Sequence, residues 1–143
     1  MAAMVCIGAS AQSDVTLTRN GDSYKMSNGT VSVSIGSNGR ISEMTFRGGP
    51  NVLASNGVYF DYTADKNDNL NPTTSKIVRQ TADYAEVVFS NTTADLRFEQ
   101  GFIMRKGVNG VYVYVVANGT PTSSGVNLRE ATQRRIRRLS TLL

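Results

Sequence analysis

Histidine, the commonest general base and the commonest metal ligand, is absent from all 143 residues. Proton abstraction would fall to another group, and Lys25, Lys66, Lys76, Lys106 and the arginines are the cationic candidates. An amine becomes a base near neutrality only when it is desolvated or crowded by other cations. Arg105 and Lys106 stand beside a chain reversal and read as solvated, turn-flanking charges. Asp61, Asp65, Asn67, Asp68 and Asn69 gather the oxygen ligands that calcium takes, but their spacing lacks the glycine and distal glutamate of an EF-hand loop. The segment reads as a solvated loop, and neither metal nor cofactor is expected. Tyr59 and Tyr62 are the candidates for a ring laid against the face of a sugar, with Phe60 directed away from both into a core. Cys6 is the single cysteine, so no disulfide framework within the chain is possible.

The elements that must position these residues are strands. Residues 96–119 alternate with period 2: Leu96, Phe98 and Phe102 share one parity, and Val111, Val113 and Val115 share another. Asn109-Gly110 supplies residues that tolerate positive φ at the reversal. Both faces of the second arm are apolar, which places it inside a sheet covered on both sides, with Val111, Val113 and Val115 buried. Upstream, Asn20-Gly21 centres a first hairpin. Val31, Val33 and Ile35 face in while Ser32 and Ser34 face out, and Asn38-Gly39 leads to a strand whose parity breaks between Ile41 and Met44, as at a bulge. About nine short strands separated by turn signals predict an all-β fold, an antiparallel β-sandwich, with no helix needed over residues 14–118.

The net charge of +4 belongs to one end. Residues 1–128 hold 10 Lys+Arg and 10 Asp+Glu, which cancel; Arg129, Arg134, Arg135, Arg137 and Arg138 against Glu130 make the excess. The basic balance is therefore no argument for nucleic acid. No apolar run reaches the length of a membrane span. Residues 1–13 are small and apolar, and Ala9-Ser10-Ala11 fits a leader-cleavage site, so this segment reads as the remnant of a secretory signal. Residues 14–131 form the sandwich. Residues 132–143 form a basic, atypical tail: Ile136, Leu139 and Leu143 have the spacing of a basic amphipathic helix, and the preferred alternative is a gene end that does not continue the fold. Asn28-Gly29-Thr30, Asn91-Thr92-Thr93 and Asn118-Gly119-Thr120 match the N-glycosylation sequon and mark surface loops more safely than glycans.

The order of the segments carries a resemblance. The run VTLTRNGDSYKMSNGTVSVSIGSNGRISEMTFRGGPNVLASNGVYFDY, with RKGVNGVYVYVVANG at 105–119 and LREA at 128–131, resembles the start of the secreted rhamnogalacturonan lyases of polysaccharide lyase family 4. The pieces are the N-G-x-V-x-V-x-I segment at 28–35, the N-G-x-I-x-x-M segment at 38–48 and the aromatic segment at 59–62. No one of them is specific; the ordered set over residues 14–131 is. The resemblance implies a galactose-mutarotase-like sandwich, incomplete here, and a parent enzyme that cleaves the rhamnogalacturonan I backbone of pectin by β-elimination. It also implies that the family's catalytic lysine and histidine lie beyond the matching part, so no catalytic residue is carried over.

β-Elimination from a uronate needs a base for the proton α to the carboxylate and positive charge to stabilise the carbanion-like intermediate. The expectation is a fragment of a secreted lyase, inactive alone, whose partner in the full-length enzyme is plant cell-wall rhamnogalacturonan, with no nucleic acid and no membrane. The alternative is a non-catalytic carbohydrate-binding β-sandwich module.

Overall fold

A computed structural model describes residues 12–63, 67–92, 96–119 and 130–137. Most of the leader segment, Asp65, Lys66, the stretch 120–129 and the last six residues of the tail lie outside the described residues.

Eleven strands are present: β1 (Thr16–Asn20), β2 (Ser23–Ser27), β3 (Val31–Ile35), β4 (Ile41–Phe46), β5 (Leu53–Thr63), β6 (Asn67–Asn69), β7 (Thr74–Thr81), β8 (Tyr84–Ser90), β9 (Leu96–Arg105), β10 (Val111–Gly119) and β11 (Glu130–Arg137). They form two antiparallel sheets, so the expected sandwich is what the chain builds. The first sheet runs β1-β2-β3-β4-β5-β11, with β6 beside β5; the second runs β10-β9-β8-β7. No helix occurs among the described residues.

The alternation that predicted the strands also assigns their faces. In β3, Val31, Val33 and Ile35 are buried while Ser32 and Ser34 are not. Met26, Ile41 and Phe60 join them from the first sheet, against Ala85, Val87, Phe89, Phe98, Phe102 and Met104 from the second. Edge-to-face pairs lock the layers: Tyr24 meets Phe89 with ring centroids 5.6 Å apart, and Phe60 meets Phe98 at 4.9 Å.

The anticipated bulge lies in β4, where Ser34 faces Glu43 but Ile35 faces Ile41, leaving Ser42 as the extra residue. Gly57 sits on β5 beside it with φ +65, and a Cβ there would collide with the carbonyl of Ile41. Glycine is what lets β5 approach the bulged strand.

Three expectations need correcting. First, β10 is not interior: it pairs only with β9 among the described residues. Val111, Val113 and Val115 are half-buried against the core, while Tyr112 and Val116 are exposed at 52% and 41%. An edge strand lacks a neighbour to shield one flank, so apolar alternation on both faces did not mean cover on both faces. Second, the β9–β10 reversal takes its positive φ at Gly107 (75°), not at Asn109-Gly110. Third, residues 132–137 of the expected tail belong to β11, which pairs with β5, with Glu130 opposite Thr63 and Arg134 opposite Tyr59; residues 138–143 of that tail lie outside the described residues.

Candidate functional site

The outward positions of the first four strands are mostly small and hydroxylated, with Asn20, Lys25 and Glu43 also among them. Register aligns Thr16, Ser27, Ser32 and Thr45 in one row across the sheet, and Thr18, Lys25, Ser34 and Glu43 in the next. The Ser34 hydroxyl donates to Glu43 Oε2 at 3.0 Å. With small side chains at most of these positions, the twisted sheet leaves an open depression of about 240 Å³ lined by Thr18, Asn20, Ser23, Tyr24, Lys25, Ser34, Ile35, Gly36 and Ser42. Lys25 is exposed there. Hydroxyls, an asparagine amide and one ammonium can hydrogen-bond a polyhydroxylated chain and attract a carboxylate on it.

The two tyrosines singled out in the sequence part company. Strand parity puts Tyr62 on the same face as Phe60, not opposite it: their rings lie 6.0 Å apart, and Tyr62 is 4.5 Å from Phe98. Tyr62 is half-buried against the core. Tyr59 points outward beneath Arg40, whose guanidinium carbon stands 4.8 Å from the ring centroid. Arg40 Nη2 also donates to Asn69 Oδ1 at 2.8 Å, which fixes the cation over the ring. One side of the Tyr59 ring thus already carries a positive charge. Asn69 is the point where the acidic loop meets this cluster.

Of the lysine candidates, Lys66 lies outside the described residues and Lys25 lines the depression. Lys106 Nζ contacts Asp14 Oδ1 at 2.6 Å and Asp83 Oδ1 at 3.8 Å. The hydrogen bond to Asp14, aided by both carboxylates, raises its pKa above the ordinary lysine value. That is the wrong direction for a base near neutrality. Lys76 is exposed on β7, the edge of the other sheet. Neither approaches the Lys25 depression in the register of the strands.

Two further constellations escaped the sequence. On the outer face of the second sheet, Glu86 accepts hydrogen bonds from Tyr84 Oη at 2.6 Å and from Tyr114 Oη at 2.7 Å. Tyr114 lies across Gly101, where any Cβ would strike its ring. Burial first, then the bond to Glu86, pushes the Tyr114 pKa up; for Tyr84 the bond to Glu86 is the main cause of its rise. The second is Asn28, read as a sequon on a surface loop but only 3% exposed. Its Nδ2 donates to the carbonyls of Arg105 (2.9 Å) and Val108 (2.7 Å), and its Oδ1 accepts from the amides of Thr30 (3.1 Å) and Val31 (2.8 Å). Asn28 is a clamp between the two sheets. The Asn-Gly turn was visible in the sequence; the partner hairpin, some eighty residues away, was not.

Among known proteins, the Rhamnogalacturonate lyase family matches residues 1–137. A curated relative, the rhamnogalacturonate lyase of Dickeya dadantii (strain 3937), is 28% identical over 118 residues, covering 74% of this chain and 20% of the relative. The chain therefore spans about one fifth of the length of that relative.

Proposed function

The chain belongs to the rhamnogalacturonate lyase family, and from that membership we propose that it is the first part of the sandwich of a secreted polysaccharide lyase acting on the rhamnogalacturonan backbone of pectin. The match over residues 1–137 is the observation that carries the reading. In it, the depression around Lys25 contacts the polysaccharide: the hydroxyl rows meet sugar hydroxyls and Lys25 meets a galacturonate carboxylate. The Arg40–Tyr59 pair offers a second contact of the same kind, a cation held beside a ring. Tyr62 supports that strand from the core side. Residues 14–131 and the remainder of β11, to Arg137, act as one domain.

The chain alone binds but does not cleave. Elimination needs a base and a neutralised carboxylate held together in one cleft. No histidine is present, and Lys106 is tied to two aspartates. These same facts favour the second reading, a carbohydrate-binding sandwich without catalysis of its own. No helix among the described residues is long and apolar enough to cross a membrane.

The test is titration of the purified chain with rhamnogalacturonan oligosaccharides, beside an assay for the unsaturated uronate product by its ultraviolet absorbance. Binding without product is expected, with affinity reduced several-fold in Lys25→Ala. Absence of binding sinks the polysaccharide reading. Sustained product formation, lost on mutating Lys25, Lys76 or Lys106, shows that the base has been misjudged.

A further inference from the structure

Among the described residues five strands have an unpaired edge, and four of them are guarded against pairing with another chain. β6 is three residues long and contains Asp68. β7 carries Lys76 and Arg79 and has a register shift between Ile77 and Arg79. β1 is five residues long and carries Arg19. β11 contains Glu130 and three arginines and has a register shift between Arg135 and Arg137. Short length, charge and bulges are the usual devices that keep a strand edge from recruiting partners.

β10 has none of them. Its nine residues, VYVYVVANG, include no charge and no proline. Its register with β9 is unbroken from Val111 to Gly119. Its other edge is open among the described residues. The exposed Tyr112 and Val116 stand on one face, and the half-buried Val111, Val113 and Val115 on the other.

We infer that this edge pairs with the β10 edge of a second copy of the chain, antiparallel, about a twofold axis at Tyr114. The sequence is self-complementary in that register. Tyr114 faces the second copy's Tyr114, Tyr112 faces its Val116, and Val113 faces its Val115. An aromatic residue opposite a β-branched one is a favourable cross-strand pair, and no charges oppose each other. The four-stranded sheet becomes continuous across two molecules, and the valines left half-covered at the edge are covered by their counterparts. Twofold pairing closes after two copies.

Sedimentation of the full chain over a range of concentrations tests this. A reversible monomer–dimer equilibrium is expected. Tyr112→Lys with Val116→Lys places lysine opposite lysine at both positions and should give a monomer with an unchanged far-ultraviolet spectrum and a cooperative melt. Tyr112→Glu with Val116→Lys places opposite charges in register and should restore the dimer. In a Cys6→Ser background, Tyr112→Cys and Val116→Cys chains should cross-link efficiently only when mixed. A monomer at every concentration, an open-ended assembly, a dimer untouched by the double-lysine change, or cross-linking within either cysteine variant but not between them overturns the pairing.

Discussion

Replacing Asn28 with alanine should be among the most damaging polar substitutions in the molecule. The side chain is 3% exposed and makes four hydrogen bonds, two given and two accepted. Two of them reach the carbonyls of Arg105 and Val108, tying the β2–β3 turn to the β9–β10 turn of the opposite sheet. Alanine leaves two amides and two carbonyls without these partners. At about 1 kcal/mol net for each bond, the loss approaches 4 kcal/mol if none is replaced. Water reaching the exposed hairpin would satisfy part of it, which brings the expected cost to about 2–4 kcal/mol. For a domain of this size that is a fall in Tm on the order of 10 °C. Urea unfolding followed by circular dichroism is the assay, and the midpoint should drop with the slope unchanged, because the core is not altered. Asn28→Asp separates the two halves of the clamp. It keeps the acceptor for Thr30 and Val31 but sets a carboxylate against two carbonyls, so it should be no better than alanine at neutral pH and should recover stability relative to the parent as acid protonates the introduced group. A loss below about 0.5 kcal/mol for Asn28→Ala would refute the view that one amide staples the layers.

Phe102, fully buried opposite Val113, should lose about 3–5 kcal/mol on change to alanine, whereas Val113→Ala on the edge strand should lose about 1 kcal/mol; paired chemical denaturation curves give the contrast. Gly101→Ala should displace the Tyr114 ring and break its bond to Glu86, costing about 1–2 kcal/mol, and adding Tyr114→Ala should relieve much of that extra cost in a double-mutant cycle. Tyr114 is held above its ordinary pKa of 10.0, so the folded chain keeps a proton that the unfolded chain releases. Its contribution is therefore full below pH 10.0 and fades as pH rises above it, and Tyr114→Phe should flatten the alkaline loss of Tm while lowering stability modestly at neutral pH.

Most of the fold was legible because period-2 alternation is a local property. The sequence of β3 alone says which of its residues face inward, and the burial of Val31, Val33 and Ile35 agrees. The parity break at Ser42 predicted a bulge for the same reason. What local pattern cannot say is which strand has a neighbour on each side. VYVYVVANG reads as interior by composition, yet among the described residues topology leaves it at an edge. Residues 132–143 read as foreign to a sandwich, yet the described part of that tail, 132–137, continues β11, whose backbone pairs with β5, and an edge position tolerates such composition. Both misreadings concern the sheet margins, where the physical constraint comes from a neighbour that is present or missing.

The candidate site was less legible, for a related reason. Thr18, Lys25 and Ser34 are unremarkable singly, and only Ser34 belongs to a strand whose polar face was predicted to point outward. They become one surface only when the registers Thr18↔Lys25 and Lys25↔Ser34 set them in a row. Aromatic residues drew notice instead, because their chemistry is visible without register. Yet parity alone suffices to separate Tyr59 from Tyr62, and burial gives the second to the core. Asn28 shows the limit from the other side: its sequon suggested an exposed acceptor, while its amide nitrogen is already committed to two carbonyls of the distant hairpin. A polar residue in a β-sandwich thus takes its role from the strand opposite it. For this chain that makes the row through Lys25, rather than any single conspicuous side chain, the place where polysaccharide binding should be sought first.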